Sequence, residues 1–219
     1  MSANATLVYE PFRTVPITEF LEELRFEFKD LPDQLYLYYL VKAARIMARK
    51  GKLVRRRAVI HTQHCVTRYL LKSPDGMDIC GILGIKAAPC GGCSHEVTRS
   101  FVPPAGCRAC GPEVATYDPQ DGVLHIRSPY TEAKYYIELA VCPPKGACEL
   151  PAVYMDEHLD DLIVGARAHI LMIPGRPWTN LTLGQAHMND FYDRINAAGV
   201  NTATHKMRGA IKMNFGKAL

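Results

Sequence analysis

Residues 162–180 decide the fold of this chain, and they read LIVGARAHILMIPGRPWTN. The large apolar residues recur at three- and four-residue spacing, which predicts an amphipathic helix with one buried stripe. Gly165 and Ala166 are small and allow a neighbouring helix to approach closely. The dipeptide Pro174-Gly175 turns the chain and ends the helix. Trp178 is expected to be buried against the helices and to anchor the following loop.

Three further helices are predicted around this stretch. Thr18 precedes an acidic first turn, and a first helix runs from there to about Phe28. A second helix follows the break at Pro32, carries apolar residues at helical spacing and stops at Gly51. The last helix starts near Thr182, and a glycine at position 199 is expected to interrupt or cap it.

The apolar period changes to two in the middle of the chain, which predicts β-strands. Alternation begins near Arg55, and Asp75-Gly76 supplies a turn. A Pro/Gly turn separates two further strand-like segments between residues 116 and 126, and another strand spans 135–141. The middle of the chain is therefore predicted to be mainly antiparallel β-structure.

The order of elements predicts an α+β fold. In the simplest arrangement, residues 1–53 and 150–204 form an antiparallel helical bundle. Residues 54–149 are then an inserted antiparallel β domain that contains a cysteine-rich loop. Residues 205–219 are basic and weakly periodic, so they are expected to form a flexible C-terminal tail.

Composition narrows the classes of protein to consider. Hydrophobic residues make up 48% of the 219 residues, which argues against wholesale disorder. No apolar run approaches the roughly 18 residues of a membrane span, so no membrane insertion is expected. The first residues lack the pattern of a secretory signal, so synthesis in a cytosol is expected. The net charge is only +4, but Arg55, Arg56 and Arg57 form a local basic patch. Such a patch fits an acidic protein face or a phosphate backbone, or is simply an exposed strand edge.

The stretch quoted above, from Gly165-Ala166 through Pro174-Gly175 to Trp178, resembles the head-to-tail adaptor (connector) family of tailed bacteriophages. The likeness is to adaptors of short-tailed phages related to tail tubular protein A, in which a helix with this signature precedes a long final helix. It spans roughly residues 15–200 and rests on packing residues, with no catalytic motif among them. The cysteine-rich segment departs from the family pattern.

The resemblance implies a structural virion protein and no enzymatic activity. About twelve copies would form a homo-oligomeric ring at the head-tail junction, assembled in the host cytoplasm between the portal protein and a tail or nozzle protein. Genomic DNA would pass through the ring without specific binding, because a conduit must let DNA slide. The C-terminal segments of such adaptors insert between portal subunits, and the apolar residues expected to bind there are Ile211, Met213, Phe215 and Leu219.

Four cysteines form a CxxC-x13-CxxC pattern, which is typical of a structural zinc site. Its members are Cys90, Cys93, Cys107 and Cys110. Four thiolates around one Zn²⁺ leave no open coordination position, so the ion would hold the loop together. Reduced thiols, or disulfides formed after release from the cell, remain alternatives.

A zinc-containing nucleic-acid-binding regulatory protein is the main alternative function. The cysteine pairs, the basic patch and the basic tail favour it, whereas no recognition module is evident in the sequence. A hydrolase is a weaker alternative. His61 and His64 would face opposite ways on a strand, which disfavours a shared catalytic or metal-binding role. Cys142 and Cys148 flank a short loop and are interpreted as free thiols in preference to a disulfide.

Overall fold

The structure is a computed structural model, and it describes residues 2–4, 13–63, 66–71, 76–87, 96–97, 114–118, 121–127 and 134–210. Within these ranges the chain is mixed α+β, as predicted. One short 3-10 helix spans Ile17–Phe20. The α-helices in the described ranges are α1 (Glu22–Glu27), α2 (Asp33–Gly51), α3 (Val153–Asp156), α4 (Leu159–Leu171) and α5 (Leu181–Ala210).

The strands form mainly antiparallel sheets. In chain order they are β1 (Ser2–Asn4), β2 (Thr14–Pro16), β3 (Arg55–His61), β4 (Arg68–Leu70), β5 (Asp78–Ala87), β6 (Glu96–Val97), β7 (Val114–Asp118), β8 (Val123–Arg127), β9 (Lys134–Cys142) and β10 (Glu149–Pro151).

Two four-stranded sheets and one two-stranded sheet result from the pairing. The first sheet has the order β3-β9-β5-β6, and all of its pairs are antiparallel. The second has the order β1-β4-β8-β7, in which the β1–β4 pair is parallel and the others are antiparallel. Strands β10 and β2 form the third sheet. The pairing of β3 with β9 joins segments that lie on either side of the cysteine-rich loop.

The helices from the two ends of the chain pack together, because each presents an apolar stripe. Helix α2 contacts both α4 and α5, and α4 and α5 lie against each other. Helix α2 also contacts β9, so the sheet is attached to the helices and not separated from them. The buried residues of both sheets and of the helices belong to one continuous hydrophobic core. Leu40, Leu139 and Leu162, from a helix, a strand and another helix, are all fully buried in it.

Several predicted boundaries differ from the structure. The predicted first helix is divided, since the 3-10 turn ends at Phe20 and α1 begins at Glu22. The prediction that Gly199 interrupts or caps the last helix is wrong, because α5 continues to Ala210. The boundary predicted at residue 204 therefore falls inside a helix. Residues 211–219 lie outside the described residues. None of the described helices is both long and apolar enough to span a bilayer.

Candidate functional site in the α4–α5 hairpin

Helices α4 and α5 approach each other closely at Gly165. A Cβ atom at this position would be 2.5 Å from Cε2 and 2.6 Å from Cζ of Phe191 on α5. The Phe191 ring is fully buried, so it occupies the space that a side chain at 165 would need. Ala166, the next residue of α4, is also fully buried. The two small residues of the quoted stretch therefore lie in the core, and Gly165 makes close packing of the hairpin possible.

The turn between the two helices is held by hydrogen bonds from its own residues. Gly175 has φ +73°, a left-handed conformation that favours glycine. The Thr179 hydroxyl donates to the carbonyl of Ile173 (2.6 Å) and accepts from the amide of Arg176 (2.9 Å). Asn180 caps α5, because its side-chain oxygen accepts from the amide of Leu183 (3.0 Å). These bonds determine the direction in which α5 leaves the turn.

Trp178 lies in this turn and packs partly buried against the hydrophobic core. Its ring meets Phe28 edge to face, with centroids 6.3 Å apart and an interplanar angle of 69°. The indole Nε1 is buried and finds no hydrogen-bond acceptor among the described residues. Trp178 therefore packs on the core through Phe28, but it is half-buried where the sequence predicted a buried ring.

Helix α5 crosses the end of α2 where two glycines, Gly51 and Gly199, meet. A Cβ atom on Gly199 would lie 3.4 Å from the carbonyl oxygen of Gly51. A Cβ atom on Gly51 would lie 3.2 Å from Ile195 of α5. Gly199 thus lies in the middle of α5, where its small size allows α5 to pack against α2. Its role is in packing, and it does not end the helix.

Ion pairs join the hairpin to its neighbours. Arg167 Nε donates to Glu27 on α1 (2.6 Å). Arg194 on α5 contacts Asp190 (2.9 Å) one turn earlier and Asp161 on α4 (3.4 Å). These pairs are partly exposed and contribute little stability, but they fix the relative orientation of the helices.

One histidine of α4 is held neutral by its surroundings. Burial, followed by the nearby charge of Lys42, lowers the pKa of His169 to about 4. The imidazole stacks against Tyr39 of α2, with centroids 6.0 Å apart. Its Nε2 is buried and unpaired within the described part of the chain. His169 therefore belongs to the α2–α4 contact as an uncharged aromatic group.

Large apolar side chains are exposed at several points around the helices. Phe26 on α1 is 82% exposed and Tyr38 on α2 is 56% exposed. At the start of α5, Leu181 is 63% exposed and Leu183 is 43% exposed. Val200 is exposed further along α5. A contiguous patch of such residues is typical of a surface that binds another protein, whereas single exposed apolar residues are ordinary.

The three arginines of the predicted basic patch do not form one exposed surface. They lie on β3, where successive side chains face opposite sides of the sheet. Arg56 is only 4% exposed. Arg55 Nη1 lies 3.6 Å from Glu138 Oε1, and its Nε donates to the carbonyl of Lys52 (3.3 Å). Of the three, Arg57 is the exposed one.

The other predicted site residues cannot be placed. The zinc ligands Cys90, Cys93, Cys107 and Cys110 lie outside the described residues. The same is true of the predicted portal-binding residues Ile211, Met213, Phe215 and Leu219. In the part of the chain that is described, no group of three or more histidine, cysteine or acidic side chains is arranged to hold a metal ion.

The structure places two thiols on neighbouring strands that the sequence did not connect. Cys142 on β9 and Cys80 on β5 are free thiols, and the Cys80 thiol lies 3.9 Å from the carbonyl oxygen of Asp78. The expectation of a free thiol at Cys148 agrees with the structure, where this residue is exposed. Cys80 is 62 residues away from Cys142 in the sequence, and no local motif connects the two.

No protein-family model matches the chain, and no characterised protein matches its sequence.

Proposed function

We propose that this protein is a head-to-tail adaptor of a tailed bacteriophage. In this proposal it is a structural subunit with no enzymatic activity, and about twelve copies form a ring between the portal and a tail or nozzle protein. The ring assembles in the host cytoplasm, becomes part of the virion and lets genomic DNA pass through its channel.

The observation that carries the proposal is the contact between Gly165 and Phe191. The resemblance to adaptors rests on a packing signature, and such a signature is meaningful only if its residues pack two helices closely. Gly165 does so, since a Cβ atom there would be 2.5 Å from the Phe191 ring. Pro174 and Gly175 form the turn, and Trp178 packs beside Phe28. These contacts are consistent with a packing signature and support the proposal.

The connectivity also supports the proposal. Helices from both chain ends, α2, α4 and α5, pack together, while most of the strands lie between them in the sequence. We propose that they correspond to the helical bundle of residues 1–53 and 150–204, with 54–149 as the inserted β domain. The continuous core implies that the two parts unfold together.

Ring formation requires a surface that binds a second copy. The exposed apolar residues Phe26, Leu181 and Leu183 are candidates, because a closed ring buries a different patch on each side of every subunit. A substitution of one of them by aspartate would disfavour assembly without removing any core contact.

The test is assembly with the cognate portal. Native mass spectrometry of the adaptor mixed with portal rings should show a complex containing about twelve copies of the 24.4 kDa chain. Leu181→Asp should reduce assembly while the circular dichroism spectrum and unfolding midpoint stay unchanged. Gln185→Asp, an exposed polar site on the next turn of α5, is the matched control. A portal that binds no adaptor, under conditions where it binds its other partners, would contradict the proposal.

The second candidate is a zinc-containing nucleic-acid-binding regulator, which the spacing of the four cysteines favours. Duplex binding measured over a salt series separates the two functions, because a regulator would show a slope of about −0.9 per phosphate contact. Of the basic patch, Arg57 is the residue exposed for duplex binding, because Arg55 contacts Glu138 and Arg56 is buried. Tight, salt-dependent binding that is lost in Arg57→Gln would favour the regulator.

A further inference from the structure

One end of the β3-β9-β5-β6 sheet carries polar and aromatic side chains on its solvent side. Opposed residues of an antiparallel pair share a face, and the register sets Arg57 opposite Glu138 and His61 opposite Lys134. Tyr136 lies between these two pairs on β9. Arg57, His61 and Lys134 are exposed, and Tyr136 is 41% exposed. We call the group of Arg57, His61, Lys134 and Tyr136 the sheet platform.

The other side of the same strands faces the core. Ile60 on β3 and Tyr135 on β9 are fully buried, so the period of two leaves the sheet platform on the solvent side. The exposed stretch is short, because Ala140, on the platform side of β9, is buried. The sheet platform therefore spans residues 57–61 of β3 and 134–138 of β9. With the neighbouring strand β5 it measures about 13 Å along the strands and about 10 Å across them.

The charge of this surface is positive. Its acidic side chain among the described residues is Glu138, which lies 3.6 Å from Nη1 of Arg55 on the same side of β3. Arg57 forms no ion pair with any residue that the structure describes. Arg57 and Lys134 therefore leave a positive surplus after Glu138 is matched by Arg55. Such a surface attracts an anionic partner.

Tyr136 adds an aromatic ring between the cations. The Lys134 Nζ lies 5.3 Å from the centroid of this ring. On the next strand, Gly84 lies opposite Glu138 in the register. A Cβ atom on Gly84 would meet no heavy atom of the described residues within 4 Å. The glycine thus leaves open space diagonal to the ring, where a planar group can lie with its anionic part beside the cations.

Single-stranded nucleic acid combines the two properties that this surface recognises. Each nucleotide has a planar base that stacks on an aromatic ring and a phosphate that contacts arginine or lysine. A duplex keeps its bases stacked inside and cannot lay one on Tyr136. An acidic peptide matches the charge but offers no base to the ring. The size of the surface suits about two or three bases, as in other sheets that bind RNA through aromatic side chains.

We propose that the sheet platform binds single-stranded nucleic acid. Tyr136 stacks on a base, and Arg57 and Lys134 contact the phosphates on either side of it. This inference goes beyond the adaptor function and does not rest on it, since an adaptor lets genomic DNA slide past without holding it.

Binding is measured with the full-length protein and a fluorescein-labelled single-stranded thymidine oligonucleotide of about 12 nucleotides, which is within the site sizes of single-strand-binding sheets. Fluorescence anisotropy at low ionic strength should give a Kd of about 10–100 μM, because the surface is small. The logarithm of the binding constant should fall with the logarithm of the salt concentration, with a slope of about −0.7 for each phosphate contacted.

Substitutions on the sheet platform separate stacking from charge. Tyr136→Ala should weaken single-strand binding about tenfold and leave duplex binding unchanged, whereas Tyr136→Phe should keep the wild-type affinity because its ring still stacks. Arg57→Gln should reduce the salt slope by about 0.7. Tyr38→Ala is the matched control, since Tyr38 is an exposed tyrosine on α2, and it should bind like the wild type. Circular dichroism and the unfolding midpoint should be the same in all four variants.

Several results would overturn the proposal. These are no binding of the oligonucleotide at low salt, no loss in Tyr136→Ala, or the same loss in Tyr38→Ala. An equal loss of duplex binding in Tyr136→Ala would show that the ring does not stack on a base. Competition by poly-glutamate as effective as that by the oligonucleotide would assign the surface to an acidic protein. Tyr136→Ala should still assemble on the portal, so failure of the adaptor function is detected separately.

Discussion

Gly165 of α4 and Phe191 of α5 are in such close contact that a Cβ atom on the glycine would lie 2.5 Å from the phenylalanine ring. Gly165→Ala should therefore destabilise the protein by about 1–3 kcal/mol, although alanine is the better helix former. The buried ring cannot move without displacing its neighbours. Urea unfolding followed by circular dichroism measures the change.

Gly199→Ala is the matched control for this substitution. It adds the same methyl group inside a helix, at the contact of α5 with α2, but the nearest atom would be 3.4 Å away. The gain in helix propensity should then dominate, and the variant should be unchanged or more stable by up to about 1 kcal/mol. Equal destabilisation by both alanines would show that the close contact with Phe191 is not the cause of the loss at Gly165.

Trp178→Ala should destabilise the protein by about 2–3 kcal/mol, because the ring packs on Phe28 but is only partly buried. Trp178→Phe should cost less, since phenylalanine keeps an aromatic contact and removes a buried N–H that has no acceptor in the described residues. Phe26→Ala, at an 82% exposed position, is the control and should change stability by less than about 0.5 kcal/mol. An unchanged unfolding midpoint in Trp178→Ala would contradict the anchoring role.

The protein should become less stable as the pH is lowered, because of His169. Its pKa in the folded protein is about 4, below the ordinary value of about 6.5 that applies when the chain is unfolded. The unfolded state therefore binds more protons between these values, and the stability present above pH 6.5 is lost as the pH falls toward 4. The expected loss is about 1–2 kcal/mol, since the imidazole is not fully buried.

His169→Gln should flatten this pH dependence, measured as the urea midpoint at several pH values between 7 and 4. His61→Gln changes an exposed histidine and should leave the slope as it is in the wild type. A wild-type slope that persists in His169→Gln would mean that other groups cause it.

Zinc binding by Cys90, Cys93, Cys107 and Cys110 remains a prediction from their spacing. Protein purified under reducing, chelator-free conditions should contain about one equivalent of zinc by elemental analysis. Removing the metal should loosen the cysteine-rich loop while α2, α4 and α5 stay folded. Protein that contains no zinc under these conditions would contradict the prediction.

The C-terminal residues are expected to act in portal binding and not in folding. Deleting residues 211–219, which follow the end of α5 at Ala210, should leave the unfolding midpoint nearly unchanged. Attachment to the portal should be lost, because Ile211, Met213, Phe215 and Leu219 are removed. A truncated protein that still binds the portal would assign docking to another surface.

Local chemistry was sufficient to predict several elements. Helix α2 ends at Gly51, as the glycine predicted, because a residue in the left-handed conformation follows at Lys52. Helix α4 ends at Leu171, just before the turn that contains Pro174 and Gly175. The change of apolar period from three or four to two located the strands, since only alternation buries one face of a sheet.

What the sequence by itself determined is thus the kind and order of the elements, because helix ends and apolar periodicity depend on neighbours a few residues away. Tertiary structure alone decided which distant residues meet. It placed Gly199 against Gly51, so the residue predicted to cap or interrupt the helix lies inside it. It turned Arg56 into the core and left Arg57 outside. It also set the register of β5 against β9 and the bulge at Cys80, since strand register depends on the whole core.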